Sequence, residues 1–321
     1  MTAFLLLLLG ASPAWSEADG WNWRTTTTPH FLIKHQETWL PPGFTINTER
    51  IHSRLRMDLG MFSPWMGRER INLYLYKDQE AYVKGEFTPP AWSNGLAIFQ
   101  LKAVALPGMK DRRKLLQVMA HETTHLLFEG YFREQNSQAP VWINEGLAML
   151  QEADSPEKPE TSEWYQGMTA LEPAQFLPLE YFFTITPTQD MKDENKKTVG
   201  NWYIQAYSIT HYLLRKHSRL QFKSFCSELR DGKTPAEALW KVYRYRSLAD
   251  FDKRWKAWLA DPIHKRRIAA LAASQREESG EEPTKATGKG RSLGSFKPFS
   301  TGFGVHNFPS PQGEAAAKGA P

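Results

Sequence analysis

The chain has 321 residues, 41% hydrophobic and 23% charged, the balance of a globular protein able to bury a sizeable core. Its net charge of +5 is concentrated beyond residue 262, where nine Lys or Arg face five Glu; the rest is near neutral and has no basic, aromatic-rich stripe, which argues against nucleic-acid binding. Cys226 is the only cysteine, which excludes an intramolecular disulfide and any cysteine-based metal site.

The N-terminus carries an apolar run from Ala3 to Ala11, with leucine at every position from Leu5 to Leu9. Pro13, the small residues Ala14 and Ser16, and then a polar stretch follow, the pattern of a signal peptide over residues 1–16, although no Lys or Arg precedes the run. An exported protein, periplasmic or secreted, is expected. No apolar run reaches the ~20 residues of a spanning helix, so no integral membrane segment is expected after cleavage.

From Trp21 to Gly108 strands and helices mix. Phe31–Ile33 and Ile71–Tyr76 read as strands, the second with apolar/polar alternation. Thr45–Met61 and Asp78–Lys84 read as helices, and Asn94–Phe99 and Lys102–Leu106 as two further short strands. From Asp111 to Ala260 the pattern is helical. Asp111 can cap a helix that Gly130 would stop, and Pro140 can open a second helix reaching Leu150. A long Pro-containing loop is expected next, then helices over Asn201–His217, Leu220–Leu229, Pro235–Tyr243 and Leu248–Leu259. Residues 263–321, rich in Gly, Ser, Lys and Glu toward the end, read as a disordered tail behind a folded unit of residues 17–262.

His121-Glu122-Thr123-Thr124-His125 is an H-E-x-x-H pattern inside the first of those helices. Residues four apart share a helix face, so both imidazoles can reach one metal ion. Glu122 projects beside that face and can take a proton from water instead of binding the metal. Twenty residues after His125 comes Glu145, in Pro140-Val141-Trp142-Ile143-Asn144-Glu145-Gly146-Leu147-Ala148. A catalytic zinc needs three protein ligands and an open position, and Glu145 completes that set. A lone glutamate on an amphipathic helix is ordinarily a surface residue, but Trp142, Ile143, Leu147 and Met149 around it point to a partly buried helix.

The two motifs together resemble the gluzincin clan of metallopeptidases and are most similar to bacterial peptidase MA-like domains, over roughly Phe31 to Trp258. The resemblance implies an α+β, zincin-like fold: an N-terminal mixed β-sheet subdomain followed by a mostly helical C-terminal one. It also implies a zinc-dependent peptidase acting on a peptide or protein substrate. Zn²⁺ would be held by His121, His125 and Glu145, with Glu122 as general base. The segment from Tyr203 to Leu213 resembles the clan's helix that opens with a tyrosine facing the zinc, which implies that Tyr203 donates to the oxyanion. Tyr203, Tyr207 and His211 also fit a stripe of core aromatics at helical spacing, and the last two stand as alternates for that role.

Aminopeptidases of the clan carry an acidic residue upstream that holds the substrate amine. Trp92-Ser93-Asn94-Gly95-Leu96-Ala97, the corresponding stretch, has none, so a dedicated aminopeptidase is disfavoured. The other alternative is a catalytically silent, zinc-stabilised binding module of the cell envelope. Lys102–Leu106 is a candidate edge strand for an extended peptide. His30, His35, His52, His217, His264 and His306 lack partners at ligand spacing and read as surface or core histidines. Arg112, Arg113 and Lys114 open the first helix, where cations oppose the helix dipole, and the sequence offers no reason for them.

Overall fold

A computed structural model describes residues 22–153, 157–191 and 196–279. The expected signal segment and everything past residue 279 lie outside them. The fold is α+β: a mixed five-stranded sheet at the N-terminus and a mostly helical remainder.

The strands are β1 (Arg24–Thr27), β2 (Phe31–His35), β3 (Ile71–Leu75), β4 (Leu96–Ile98) and β5 (Ala103–Leu106), in sheet order β1-β2-β3-β5-β4. The three central strands run parallel, and β1 and β4 pair antiparallel at the two edges. Alternation in β2 turns Phe31 and Ile33 inward, whereas β1, Arg-Thr-Thr-Thr, is largely exposed and carries no such pattern. Central β3 and β5 bury nearly every residue, as sheet covered on both faces must. The expected edge strand Lys102–Leu106 is therefore corrected. It lies inside the sheet as β5, and β4 occupies the edge.

One face of the sheet packs on α1 (Phe44–Leu59) and merges with the main core. The other face, with α2 (Gln79–Val83), forms a smaller cluster around Tyr74, Tyr76, Tyr82, Leu96 and Ile98. Helix α3 (Arg112–Arg133) packs beside α1 and directly on β4 and β5, buried on most sides, with the Asp111 carboxylate accepting from the N–H groups of Arg113 and Lys114. That anion at the N-cap offsets the basic first turn. Gly130 does not stop α3. Tyr131 and Phe132 are buried, so the helix gains from running on to Arg133.

Next come α4 (Val141–Gln151) and, where a long loop was expected, the short helices α5 (Glu163–Ala170), α6 (Leu179–Phe182) and α7 (Pro187–Asp190). Trp164, Tyr165 and Met168 anchor α5 in the core. Helix α8 (Lys196–His211) crosses α4 closely. A Cβ on Gly146 would land on the Thr210 hydroxyl and the Ala206 carbonyl oxygen, so only glycine permits the approach. Helix α8 passes into a wide π turn over Tyr212–Lys216.

The chain then forms α9 (Arg219–Arg230), α10 (Pro235–Ala238), α11 (Leu248–Leu259) and α12 (Pro262–Ser279). Helix α12 corrects the expected start of the tail at residue 263. His264 is buried, with its Nδ1 2.7 Å from the Tyr165 hydroxyl, and Ile268 packs on the core. Asp58 of α1 links distant parts of the fold: it accepts from both Arg215 terminal nitrogens and from Gln151, at the end of α4. No helix among the described residues is long and apolar enough to cross a membrane.

Candidate metal centre

His121 and His125 lie four residues apart on α3, and Glu145 enters from the second turn of α4. One nitrogen from each ring and one carboxylate oxygen all fall within 4.8 Å of one another. Nε2 of His121 is 3.8 Å from Oε2 of Glu145, and Nε2 of His125 is 3.8 Å from Oε1. These separations exceed hydrogen-bond reach. They approach the roughly 3.4 Å that separates two ligands, each about 2.0–2.1 Å from a shared tetrahedral zinc.

Both rings are oriented from behind. The Asn144 side-chain oxygen can only accept, so His125 Nδ1, 3.0 Å away, must be the donor and Nε2 keeps its lone pair. Glu129 holds the Asn144 amide in that sense, at 3.5 Å, and is itself held by Arg133 at 2.6 and 2.8 Å. His121 Nδ1 lies 2.6 Å from Oε1 of Glu152, whose Oε2 accepts from the Trp164 indole at 2.8 Å. A carboxylate behind a histidine fixes tautomer and ring orientation at metal sites. The sequence reading missed both Glu152 and Asn144. Glu152 could have been found, because it stands two helical turns after Glu145 and must share its face.

Burial leaves this cluster short of positive charge. Glu122, Glu145 and Glu152 are all nearly inaccessible. Loss of hydration, then the neighbouring Glu152, pushes Glu122 up to about 8, and burial does the same to Glu152. Burial, and then Glu122, Glu152 and Glu129, push Glu145 well above the usual carboxylate range, and its Oε2 has no hydrogen-bond partner. Burial drives His121 down to about 3, so it stays a neutral donor. A divalent cation fits this set: two neutral imidazoles, one carboxylate with an unsatisfied oxygen, and buried anionic groups that need compensation. His125 is the most exposed of the three side chains, at 12%, and marks the side open to solvent.

A pH test follows. With folded pKa values of about 8 against an ordinary 4.5, Glu122 and Glu152 keep protons in the metal-free fold that the unfolded chain releases. At these two carboxyls the folded state binds more protons between pH 4.5 and 8, so their contribution to stability falls as pH rises through that window; His121, lowered to about 3, contributes with the opposite sign but only up to pH 6.5. At about 1.4 kcal/mol per pKa unit, the loss amounts to several kcal/mol for each group. Chelator-stripped protein should therefore melt lower at pH 8 than at pH 5, and Glu122→Gln should flatten the slope. A stripped protein that melts higher at pH 8 contradicts this account.

Glu122 lies against the strand that precedes it in the sheet. A Cβ built on Gly95, just before β4, would come within 2.6 Å of Glu122 Cγ and 3.0 Å of Cδ. Ser93 holds the segment by donating to the Gly95 carbonyl at 2.5 Å, and its hydroxyl lies 3.0 Å from that of Tyr82. Gly95→Ala should displace the Glu122 carboxylate, and any reaction that needs it in place should slow by about 100-fold, the scale of a 1 Å misplacement. Metal content should not change, which elemental analysis alongside kinetics would check.

Tyr203 is buried beside Trp164, with ring centroids 6.4 Å apart, and so lies one ring away from the Glu152–His121 pair. Tyr207 and His211 fall in an aromatic box with Tyr165 and Trp258, His211 being 5.5–5.7 Å from those three rings. Behind Glu152 a cleft of about 500 Å³ is lined by Arg50, Arg54, Arg113 and Arg219, which gives Arg113 a setting that the sequence could not supply.

The profile of the Peptidase MA superfamily matches residues 63–261, from the turn before β3 to the end of α11. A search among curated proteins finds no match.

Proposed function

The chain belongs to the peptidase MA superfamily, and on that premise we propose that it is an exported zinc peptidase. Its metal is held by His121, His125 and Glu145, and its general base is Glu122. The observation that supports this most strongly is the convergence of two oriented imidazoles and an unsatisfied carboxylate oxygen within 4.8 Å, with a second buried carboxylate beside them.

Zinc in that position supplies Lewis acidity, polarising a carbonyl and making water acidic near neutral pH. The remaining work belongs to the chain. Glu122, buried beside the three donor groups but not one of them, accepts the proton of the attacking water and delivers it to the leaving amine. Glu152 and Asn144 hold the histidines in the tautomer that leaves Nε2 available. Tyr203 donates to the oxygen on which negative charge develops, with Tyr207 and His211 as the alternates. The β4 edge offers unpaired backbone groups along which an extended peptide can add as a strand. The substrate is thus a peptide or protein.

The test is to incubate the mature chain with a proteome-derived peptide library and sequence the new ends, with chelator-stripped protein as control. New internal ends that vanish on stripping are the expected result. Stoichiometric zinc without any new ends would overturn catalysis and leave a binding module.

A further inference from the structure

A second cluster of side chains able to bind a metal lies outside the residues matched to the family. His30 precedes β2, and Glu49 and His52 lie three residues apart on one face of α1. One donor atom from each falls within 4.8 Å of the other two. Both histidines had been read from the sequence as lacking partners. The structure corrects that, because chain reversal between β2 and α1 brings His30 onto His52 with ring centroids 3.9 Å apart.

Hydrogen bonding accounts for two of the three groups. Glu49 accepts from the His30 backbone N–H at 3.0 Å and lies 2.6 Å from His30 Nδ1. These contacts with His30, together with one to Thr28, hold its carboxyl below the ordinary range despite partial burial. His52 is different. It is 1% exposed, and its Nε2–H donates to the Met66 carbonyl at 3.0 Å, which puts the ring lone pair on Nδ1. That Nδ1 is buried and has no hydrogen-bond partner. A buried acceptor left in this state costs about 1–3 kcal/mol. A ring pinned through one nitrogen to a backbone carbonyl, with the other bare, is the posture of a metal-ligating histidine.

We propose that His30, Glu49 and His52 form a second site for a first-row divalent cation, separate from the candidate metal centre. Two imidazoles and one carboxylate favour zinc and its neighbours, whereas calcium and magnesium prefer all-oxygen shells. The stacked rings are 15° from parallel, and a metal lies in the plane of a ligating ring, so one ring must turn to take the ion. His30, whose side chain is 30% exposed, has the room. The bound ion ties the turn before β2 to α1 and, through His52 and the Met66 carbonyl, to the short helix Pro64–Gly67. The site is a clamp, and it stands whether or not the chain cleaves peptides.

The experiment uses the full chain carrying His125→Ala and Glu145→Ala, stripped by chelation and titrated calorimetrically with zinc chloride. One residual equivalent of zinc is expected, with a rise in melting temperature and no competition from magnesium. Adding His52→Ala should weaken that binding at least about tenfold, no less than loss of an outer partner does. Because His52 is buried and its replacement threatens folding, the partly exposed His30→Ala and Glu49→Gln are run beside it and should weaken binding likewise. No zinc uptake by the doubly substituted chain, or uptake unmoved by His30→Ala and Glu49→Gln, would overturn the proposal.

Discussion

Glu122→Gln is expected to slow peptide hydrolysis by about 10²–10⁴-fold, the range that a positioned general base contributes. Zinc content should stay the same, because the Glu122 carboxyl is not among the three donor groups that converge on the centre. The substitution is nearly isosteric, so the close contact with Gly95 survives and the strand is not pushed away. It also removes an ionisable group whose buried carboxyl sits near pH 8. The metal-free variant should consequently be at least as stable as the parent at pH 8, which separates loss of chemistry from loss of fold. Kinetics on one cleaved peptide, with elemental analysis on the same sample, would decide it. Full activity in the variant would remove Glu122 from the mechanism.

Replacement of Glu145 should do the opposite. Glu145→Gln deletes the single anionic donor of the centre and leaves two neutral imidazoles and an amide. Zinc affinity should drop by more than the roughly 10–100-fold that removal of an outer hydrogen-bond partner costs, and activity should fall with it. His125→Ala should behave alike, whereas Glu152→Gln, one step removed, should stay within that 10–100-fold band. The sign of the stability change is the sharper test. Glu145 is buried among other carboxylates, with its Oε2 unsatisfied. Without metal, Glu145→Gln should melt no lower than the stripped parent at pH 8, since burial already disfavours the ionised carboxyl that the amide replaces; with zinc present it should melt lower than the parent. Equal zinc stoichiometry in parent and variant would take Glu145 out of the ligand set.

Regular periodicity explains what could be read in advance. The i, i+4 pair on α3 and the tight apolar flanks of α4 mark two helices and three converging donors, and the structure brings His121, His125 and Glu145 together. Strands β2, β3 and β5 announce themselves by apolar runs, yet their order does not. Nothing in the local pattern of residues 96–106 says that β4 takes the edge and β5 the interior. Short helices α6 and α7 follow or begin with proline and span a single turn, too brief for a period to register. Helix α12 carries no apolar period for a reader to find, since Lys265, Arg266 and Arg267 follow one another in its first turns and His264 alone of its described side chains is buried. Gly95 is the clearest limit. Its importance lies in a side chain 27 positions away, and only the folded chain brings that contact about.

The Asp58 carboxylate has a consequence for how the molecule comes apart. It is 1% exposed and is held by Arg215 beyond α8 and by Gln151 at the end of α4, while its own helix lines the sheet. Removing Arg215 would leave the buried carboxylate without its main counter-charge, which is costlier than losing a surface ion pair, and removing Gln151 would leave one of its lone pairs unsatisfied. The sheet half and the helical half are therefore fastened at a point that neither can release alone. Heat should take them apart in a single cooperative transition, and a chain cut between them should leave neither half able to stand.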